Sequence, residues 1–140
     1  MIDDLLKTKM SIIPVPEGDV LHGMKAQDKG FQGFGEVYIS KIKHKAIKGW
    51  KKHTRMTCNF LVPFGEVKVV IFDEGKRIFD ETILSTENYV RLTIPPSLWV
   101  GFQGLYGDFS ILLNIASMPH DPNETHNKTL SEIHYPWESL

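Results

Sequence analysis

Short apolar segments that recur at regular intervals constrain the fold of this chain more than any other feature. From residue 34 onward, segments rich in β-branched and aromatic residues alternate with turn residues at intervals of about ten, the spacing of an all-β sandwich or barrel. Within one segment Val67, Val69 and Ile71 alternate with other residues, which favours a strand with one face toward a core. The predicted strands are 34–42, 56–62, 66–72, 77–83, 89–94, 99–103 and 109–115, with 11–15 as an edge strand.

Helical patterns are short in this sequence. Residues 3–10 are compatible with one or two helical turns, and Thr129 followed by Glu132 three residues later is typical of a helix start. A length of 140 residues fits a single domain, because domains usually contain about 100–200 residues. We therefore expect one domain with an N-terminal arm of edge strands at 1–33, a barrel at 34–118 and a C-terminal loop and tail at 119–140.

Charge and apolar content exclude several classes of function. Sixteen basic residues against 17 acidic ones give a net charge of −1, so no global basic field exists to hold a nucleic-acid backbone. No apolar run approaches the roughly 18 residues of a membrane-spanning helix, and the first residues carry acids where a secretory signal carries bases. A single cysteine, Cys58, cannot form an internal disulfide. We expect a cytoplasmic protein that binds neither nucleic acid nor a membrane.

The densest group of charged side chains lies between residues 41 and 55. One interpretation is a solvated, lysine-rich edge that discourages strand pairing. The other is an anion site for phosphate or diphosphate, with Trp50 as a stacking surface. On a regular strand Lys51, His53 and Arg55 share one face, opposite Lys48 and Trp50. Seven of the 16 basic residues belong to this segment: Lys41, Lys43, Lys45, Lys48, Lys51, Lys52 and Arg55.

The sequence shows no metal-ligand spacing and no motif of phosphoryl or acyl transfer. The six histidines have no metal-ligand spacing, and the position two residues before His53 holds Lys51, whose charge repels a divalent cation. The sequence also contains neither a phosphate-binding P-loop nor a nucleophile elbow, which disfavours phosphoryl and acyl transfer. We therefore expect no metal and no other cofactor.

An ordered series of motifs over residues 36–137 resembles the dTDP-4-dehydrorhamnose 3,5-epimerase family of cupins. The resemblance implies a cupin-type double-stranded β-helix (jelly roll), usually a homodimer. It also implies a barrel pocket that takes a nucleotide-linked 4-keto-6-deoxyhexose without a metal. The motifs are Lys48-Gly49-Trp50-Lys51-Lys52-His53, Pro63-Phe64-Gly65-Glu66-Val67 with Asp73, Ile94-Pro95-Pro96 with Gly101-Phe102, His120-Asp121-Pro122 with Glu124, and Tyr135-Pro136-Trp137.

The same resemblance implies a histidine base held by an aspartate, and a tyrosine acid, yet this sequence departs at all three. Lys51 stands at the base position, Val100 replaces a second pocket histidine, and residues 109–114 contain no tyrosine. The chain ends soon after Trp137, so the aspartate is expected to be missing. We therefore expect His53 as the base, with Lys51 or Lys48 stabilising an enolate. The predicted substrate-binding residues are Lys48, Trp50, Arg55, Tyr38 and Glu124.

Two functions remain open at this stage. One is an epimerase or isomerase of a nucleotide-linked 4-keto-deoxysugar, most simply a dTDP sugar, in surface polysaccharide biosynthesis. The other is a non-catalytic nucleotide-sugar-binding cupin or a degenerate subunit, in which His53 is only a satisfied buried polar group. A metal-dependent cupin such as a dioxygenase is disfavoured because the histidine pair is absent.

Overall fold

Twelve β-strands and one short 3-10 helix form the regular structure of the computed structural model, which describes residues 1–138. The last two residues of the predicted tail, Ser139 and Leu140, lie outside the described residues. The 3-10 helix is Pro122–Glu124. The strands are β1 (Leu6–Lys9), β2 (Ile12–Ile13), β3 (Val20–Leu21), β4 (Glu36–Lys43), β5 (Ile47–His53), β6 (Cys58–Phe64), β7 (Glu66–Asp73), β8 (Ile78–Ser85), β9 (Val90–Ile94), β10 (Trp99–Gly104), β11 (Phe109–Ala116) and β12 (Thr125–Asn127).

Two five-stranded antiparallel sheets build the domain. The first sheet has the strand order β1-β9-β6-β11-β4, and the second sheet has the order β12-β5-β10-β7-β8. Strands β2 and β3 form a separate pair. The apolar side chains that both sheets direct toward each other form the main core, which includes Ile42, Val62, Val67, Val69, Ile71, Leu84, Leu92 and Ile94. Burial of these β-branched and aliphatic side chains is the dominant favourable term in folding.

The prediction of an all-β fold is confirmed, and all seven strands predicted after residue 34 are present with ends that differ by at most two residues. The expected turns of helix at residues 3–10 are wrong, because this segment forms β1 and pairs with β9. The predicted helix start at Thr129 is also wrong. Glu132 does accept a hydrogen bond from the backbone N–H of Thr129 at 2.6 Å, but only a turn forms. The apolar residues that follow pack on the second sheet instead.

A second apolar cluster lies on the outer face of the second sheet. The C-terminal segment 129–138, which we call the tail segment, covers this face. Gln103 on β10 exchanges hydrogen bonds of 3.0 and 3.1 Å with the backbone of Glu138. The clustered side chains are Trp50, Val70, Trp99 and Ile133, with Phe72, Tyr135 and Trp137 packed against them.

Among residues 1–138, no helix has the length and apolar character needed to cross a membrane.

Candidate functional site

A cavity of about 410 Å³ opens between the two sheets. Its volume falls within the range of small-molecule sites, about 300–1,000 Å³. Strands β4, β6 and β11 of the first sheet and β5, β10 and β12 of the second sheet contribute to its walls. The buried part is mainly apolar and contains Met56, Cys58, Phe60, Val100 and Leu112. The exposed part is polar and contains Lys48, Lys51, His120 and Asn127.

His53 and Glu124 form a hydrogen-bonded pair at this cavity. His53 is the last residue of β5, and its Nδ1 atom bonds the Oε1 atom of Glu124. Glu124 is only 1% exposed, so its carboxylate needs further partners. Its Oε2 atom accepts backbone N–H groups at 3.1 to 3.2 Å, and the donors are Thr54, Arg55 and Met56.

This environment lowers the pKa of Glu124 and fixes the tautomer of neutral His53. Burial opposes ionisation of Glu124, but the hydrogen bonds from His53 and from the backbone N–H groups outweigh it, so the pKa of Glu124 lies below its ordinary value. A carboxylate on Nδ1 makes Nδ1 the protonated nitrogen and leaves Nε2 as the acceptor. Nε2 has no hydrogen-bond partner within residues 1–138, and His53 lines the cavity. The pair is therefore arranged as an oriented base.

An irregularity in β5 brings two lysines to the same cavity. From Val100 to Phe102, β10 advances by two residues, while the paired positions on β5 advance by three, from Lys51 to Lys48. Val100 and Phe102 both line the cavity, so the residues paired with them also lie on that side. The prediction that Lys48 and Lys51 occupy opposite faces is wrong, because regular alternation does not allow for the extra residue.

The structure corrects the predicted role of Trp50. Its indole is 1% exposed and packs in the outer cluster, 5.5 Å from the ring of Trp137. Its Nε1 atom donates to the carbonyl of Ile133 at 3.1 Å. Trp50 borders the cavity, but its ring has no face available for stacking on a nucleotide base.

The structure also corrects the roles expected for Arg55 and Glu124. Arg55 lies beyond the end of β5 and outside the cavity, where its side chain is 62% exposed and pairs with Asp121 at 2.8 Å. Glu124 was expected to bind substrate, but its oxygens are occupied by His53 and backbone groups. The sequence analysis expected the orienting aspartate of the family to be missing, and in the structure a glutamate, Glu124, bonds His53.

Tyr38 lies across the cavity from His53, on the first sheet. It pairs in register with Asn114 of β11, and both residues line the cavity. The Tyr38 hydroxyl is buried and makes no hydrogen bond to any residue of the described chain. Burial raises the pKa of Tyr38 to about 12, and the neighbouring Glu36 carboxylate acts in the same direction. The hydroxyl is therefore a donor at neutral pH.

Sequence reasoning missed several residues that line the cavity. Asn114 was hidden in an apolar strand, and His120 was recognised only as part of a motif of the resemblance and not as a residue of the site. Strand β12 was not predicted because it has only three residues. The missed residues are Ser40, Asn114, His120, Asn127 and Lys128.

Metal binding has no support in the arrangement of side chains. In the part of the chain that the structure describes, no three His, Cys, Asp or Glu residues lie together in a way that could hold an ion. The one cysteine at the cavity, Cys58, is also an unsuitable ligand in this state, because burial raises the pKa of its thiol to about 12.

Comparison with known proteins finds similar folds among solved structures. No family model matches the chain, and no curated protein matches it. Among solved structures, a dTDP sugar isomerase from Desulfovibrio desulfuricans G20 is 29% identical with a TM-score of 0.87, over 91% of this chain and 85% of that chain.

Two more distant structures share the fold. The sugar 3,4-ketoisomerase QdtA from Thermoanaerobacterium thermosaccharolyticum, in complex with TDP, is 19% identical with a TM-score of 0.79, over 91% of this chain and 90% of that chain. A double mutant of ChmJ, a 3'-monoepimerase from Streptomyces bikiniensis, in complex with dTDP, is 15% identical with a TM-score of 0.83, over 96% of this chain and 76% of that chain. The chain therefore has the single-domain cupin jelly roll, and its structure confirms the resemblance to the dTDP-4-dehydrorhamnose 3,5-epimerase family.

Proposed function

We propose that this chain is an isomerase or epimerase of a nucleotide-linked 4-keto-deoxysugar, with His53 as the base. The observation that carries the proposal is the His53–Glu124 pair at the wall of the cavity between the sheets. A histidine that receives its orientation from a buried carboxylate is suited to proton abstraction, because its second ring nitrogen remains an acceptor.

The reaction begins with a proton next to the sugar ketone. His53 Nε2 takes this proton, the C–H electron pair forms a carbon–carbon double bond, and the carbonyl π electrons move to oxygen to give an enolate. Lys51 or Lys48 stabilises the developing negative charge. Return of the proton to the former carbonyl carbon moves the ketone, provided that the hydroxyl on the α-carbon passes its proton to the enolate oxygen. Return of the proton to the same carbon from the other face inverts that centre.

The charge distribution of the cavity supports a diphosphate-linked substrate. Lys48 and Lys51 are exposed and lie at the cavity, where their ammonium groups can hold phosphate oxygens as point charges. The buried apolar part excludes water and so strengthens electrostatic interactions with the sugar. A dTDP carrier is supported by the 29% identical neighbour, which is described as a dTDP sugar isomerase.

The predicted homodimer belongs to the same proposal. Val37 and Ile39 of β4 are 41% and 67% exposed, and in register they pair with Ile115 and Leu113 of β11. This forms an apolar patch on the outer face of the first sheet, which supports self-association. We expect the wild-type chain to sediment at twice its mass and Ile39→Glu to sediment at the monomer mass.

The cytoplasmic location and the role in surface polysaccharide biosynthesis stay predictions from the sequence.

Isotope exchange tests the proposed activity. The wild-type protein is incubated with dTDP-4-keto-6-deoxyglucose in heavy water, and NMR follows deuterium at C3 and C5 and the position of the ketone. We expect incorporation well above a heat-denatured control, and the position of the ketone distinguishes isomerisation from epimerisation. Absence of exchange defeats the proposed activity on this substrate. Calorimetric binding of dTDP without exchange identifies the alternative, a non-catalytic nucleotide-sugar-binding cupin.

A further inference from the structure

Asn114 is a buried amide in the apolar part of the cavity. On β11 the residues two positions before and after it, Leu112 and Ala116, face the main core, so Asn114 faces the same way. It is 9% exposed and lines the cavity. A buried amide is costly unless its polar atoms are hydrogen-bonded, so both its oxygen and its nitrogen need partners.

The oxygen of this amide has a partner that fixes its orientation. The backbone N–H of Asn59 donates to the Oδ1 atom of Asn114 at 3.2 Å. An N–H group bonds only an acceptor, so this contact identifies the amide oxygen and directs the Nδ2 atom away from Asn59. The amide of Asn114 therefore presents a donor, and not an acceptor, to its other surroundings.

The Nδ2 atom of Asn114 carries two N–H groups, which bond no oxygen or nitrogen atom within residues 1–138. Burial raises the pKa of the neighbouring Cys58 thiol to about 12, and a hydrogen bond from Asn114 opposes this rise in part. Sulfur is a weak acceptor, and one contact uses one N–H, so a second N–H remains. Because Asn114 lines the cavity, this donor is available to a bound molecule.

The place of Asn114 limits which part of a sugar nucleotide reaches it. Lys48 and Lys51, which the proposed function assigns to the diphosphate and the enolate, are exposed residues of the second sheet. Asn114 belongs to the first sheet, where Phe60 is its cross-strand partner and Leu112 also lines the cavity. A phosphate would lose its water there without a counter-charge, whereas a neutral hydroxyl needs only a hydrogen bond. The acceptor that Asn114 meets is therefore a hydroxyl of the sugar.

We propose that Asn114 is a specificity-determining residue, whose Nδ2 atom donates a hydrogen bond to the hydroxyl at C2 or C3 of the keto sugar. This inference rests on the proposed function and adds which sugars the site accepts. A fixed amide donor selects a sugar that carries the hydroxyl over its deoxygenated analogue, because the analogue leaves the buried donor unpaired. A carboxamide does not ionise in the neutral range, so Asn114 holds the hydroxyl and transfers no proton.

A binding cycle that changes both the protein and the ligand tests this role. Calorimetry with His53→Asn, which lacks the proposed base, compares dTDP-4-keto-6-deoxyglucose with its analogues that lack the hydroxyl at C2 or at C3. With Asn114 present, one analogue should bind about tenfold more weakly than the full sugar, the size of loss expected when a buried donor loses its partner.

The variant that combines His53→Asn with Asn114→Ala completes the cycle. It should bind the full sugar about tenfold more weakly than His53→Asn does, show no further loss with that analogue, and keep its affinity for dTDP. The matched control combines His53→Asn with Asn127→Ala, since Asn127 is an exposed amide at the same cavity. The control should retain the tenfold preference for the hydroxyl.

The outcomes separate this role from the proposed function. Equal affinities for the sugar and both analogues with Asn114 present overturn the role of Asn114, even where Asn114→Ala fails to fold. A preference that persists undiminished in the Asn114→Ala variant also overturns it. Both results concern binding and leave the proposed function to the exchange measurement. Absence of exchange by the wild-type protein defeats the proposed function instead, and the role of Asn114 with it.

Discussion

The carboxylate of Glu124 holds His53 by its Nδ1 atom, although 70 residues separate the two along the chain. The link depends on β12, because Thr125 pairs in register with His53 and so brings the preceding Glu124 under the end of β5. Glu124 does not line the cavity itself, so it acts through His53 as a positioning residue.

Glu124→Gln should slow the exchange reaction about 100-fold at saturating substrate, with little change in the affinity for dTDP. The amide can either donate to or accept from Nδ1, so it no longer fixes which nitrogen of His53 is the acceptor. General-base catalysis contributes about 100-fold or more, which sets the expected size. The pH profile of exchange should shift as well. Asp121→Asn is the control, because Asp121 pairs with Arg55 and makes no contact with His53. An unchanged rate and pH profile in Glu124→Gln would contradict the positioning role.

The same pair predicts a pH dependence of stability. The pKa of Glu124 is lowered in the folded protein, so its ionised form adds stability that is complete above the ordinary glutamate pKa of about 4.3 and is lost as pH falls through the folded value. Hydrogen bonds to a charged group contribute about 2 kcal/mol. Wild type should therefore exceed Glu124→Gln in unfolding free energy at pH 7, and this difference should shrink below about pH 4. Urea unfolding at both pH values measures it. A difference that stays constant or grows in acid would exclude this assignment.

Lys51→Met should weaken binding of dTDP by about tenfold, which corresponds to about 1.4 kcal/mol. The variant removes a positive charge beside the diphosphate and keeps most of the side-chain volume. The loss should diminish at high salt, because exposed charges are screened. Lys45→Met is the matched control, as Lys45 is exposed and lies outside the cavity. Calorimetry that finds equal affinities for Lys51→Met and Lys45→Met would show that the diphosphate binds elsewhere.

Lys68 is predicted to anchor the tail segment. Its side chain is 4% exposed and lies 2.6 Å from the Glu138 carboxylate and 3.6 Å from that of Glu81. Lys68→Ala should lower the unfolding free energy by about 2 kcal/mol, because it removes a charge-assisted hydrogen bond to Glu138 and the packing of the buried lysine stem, while the half-exposed carboxylates regain water. Lys7→Ala breaks a pair with Asp80 at 2.8 Å whose lysine is 41% exposed, and should cost at most about 1 kcal/mol. Equal costs in the two variants would contradict the anchoring role. Tryptophan emission should also move to the red in Lys68→Ala as the outer cluster loosens.

The strands could be predicted because Val67, Val69 and Ile71 of β7 recur with a period of two and face the main core, although the other face of β7 is buried as well, in part by the outer cluster. The cluster of lysines around His53 was also evident from local sequence. Local periodicity could not predict the extra residue in β5 that places Lys48 beside Lys51 at the cavity. Nor could it predict that Trp50 faces away from the cavity, because that depends on the tail segment covering the outer face of the second sheet.

The pairing of His53 with Glu124 was beyond local reasoning for a different reason. It arises from the register between β5 and the three-residue strand β12, which has too few residues for a periodic signal. For Arg55 the prediction relied too much on local periodicity. It extended the alternation of β5 past His53 and so placed Arg55 in the cavity, but β5 ends at His53 and Arg55 lies outside the cavity.

Deuterium exchange by His53→Asn, compared with wild type in the same solution, tests the central claim most directly. The control is His126→Asn, which changes an exposed histidine on β12 outside the cavity. We predict that His53→Asn still binds dTDP within about threefold of wild type but loses exchange by about 1,000-fold, within the range that a general base contributes, while His126→Asn exchanges normally. Exchange by His53→Asn at the wild-type rate would contradict the assignment of His53 as the base.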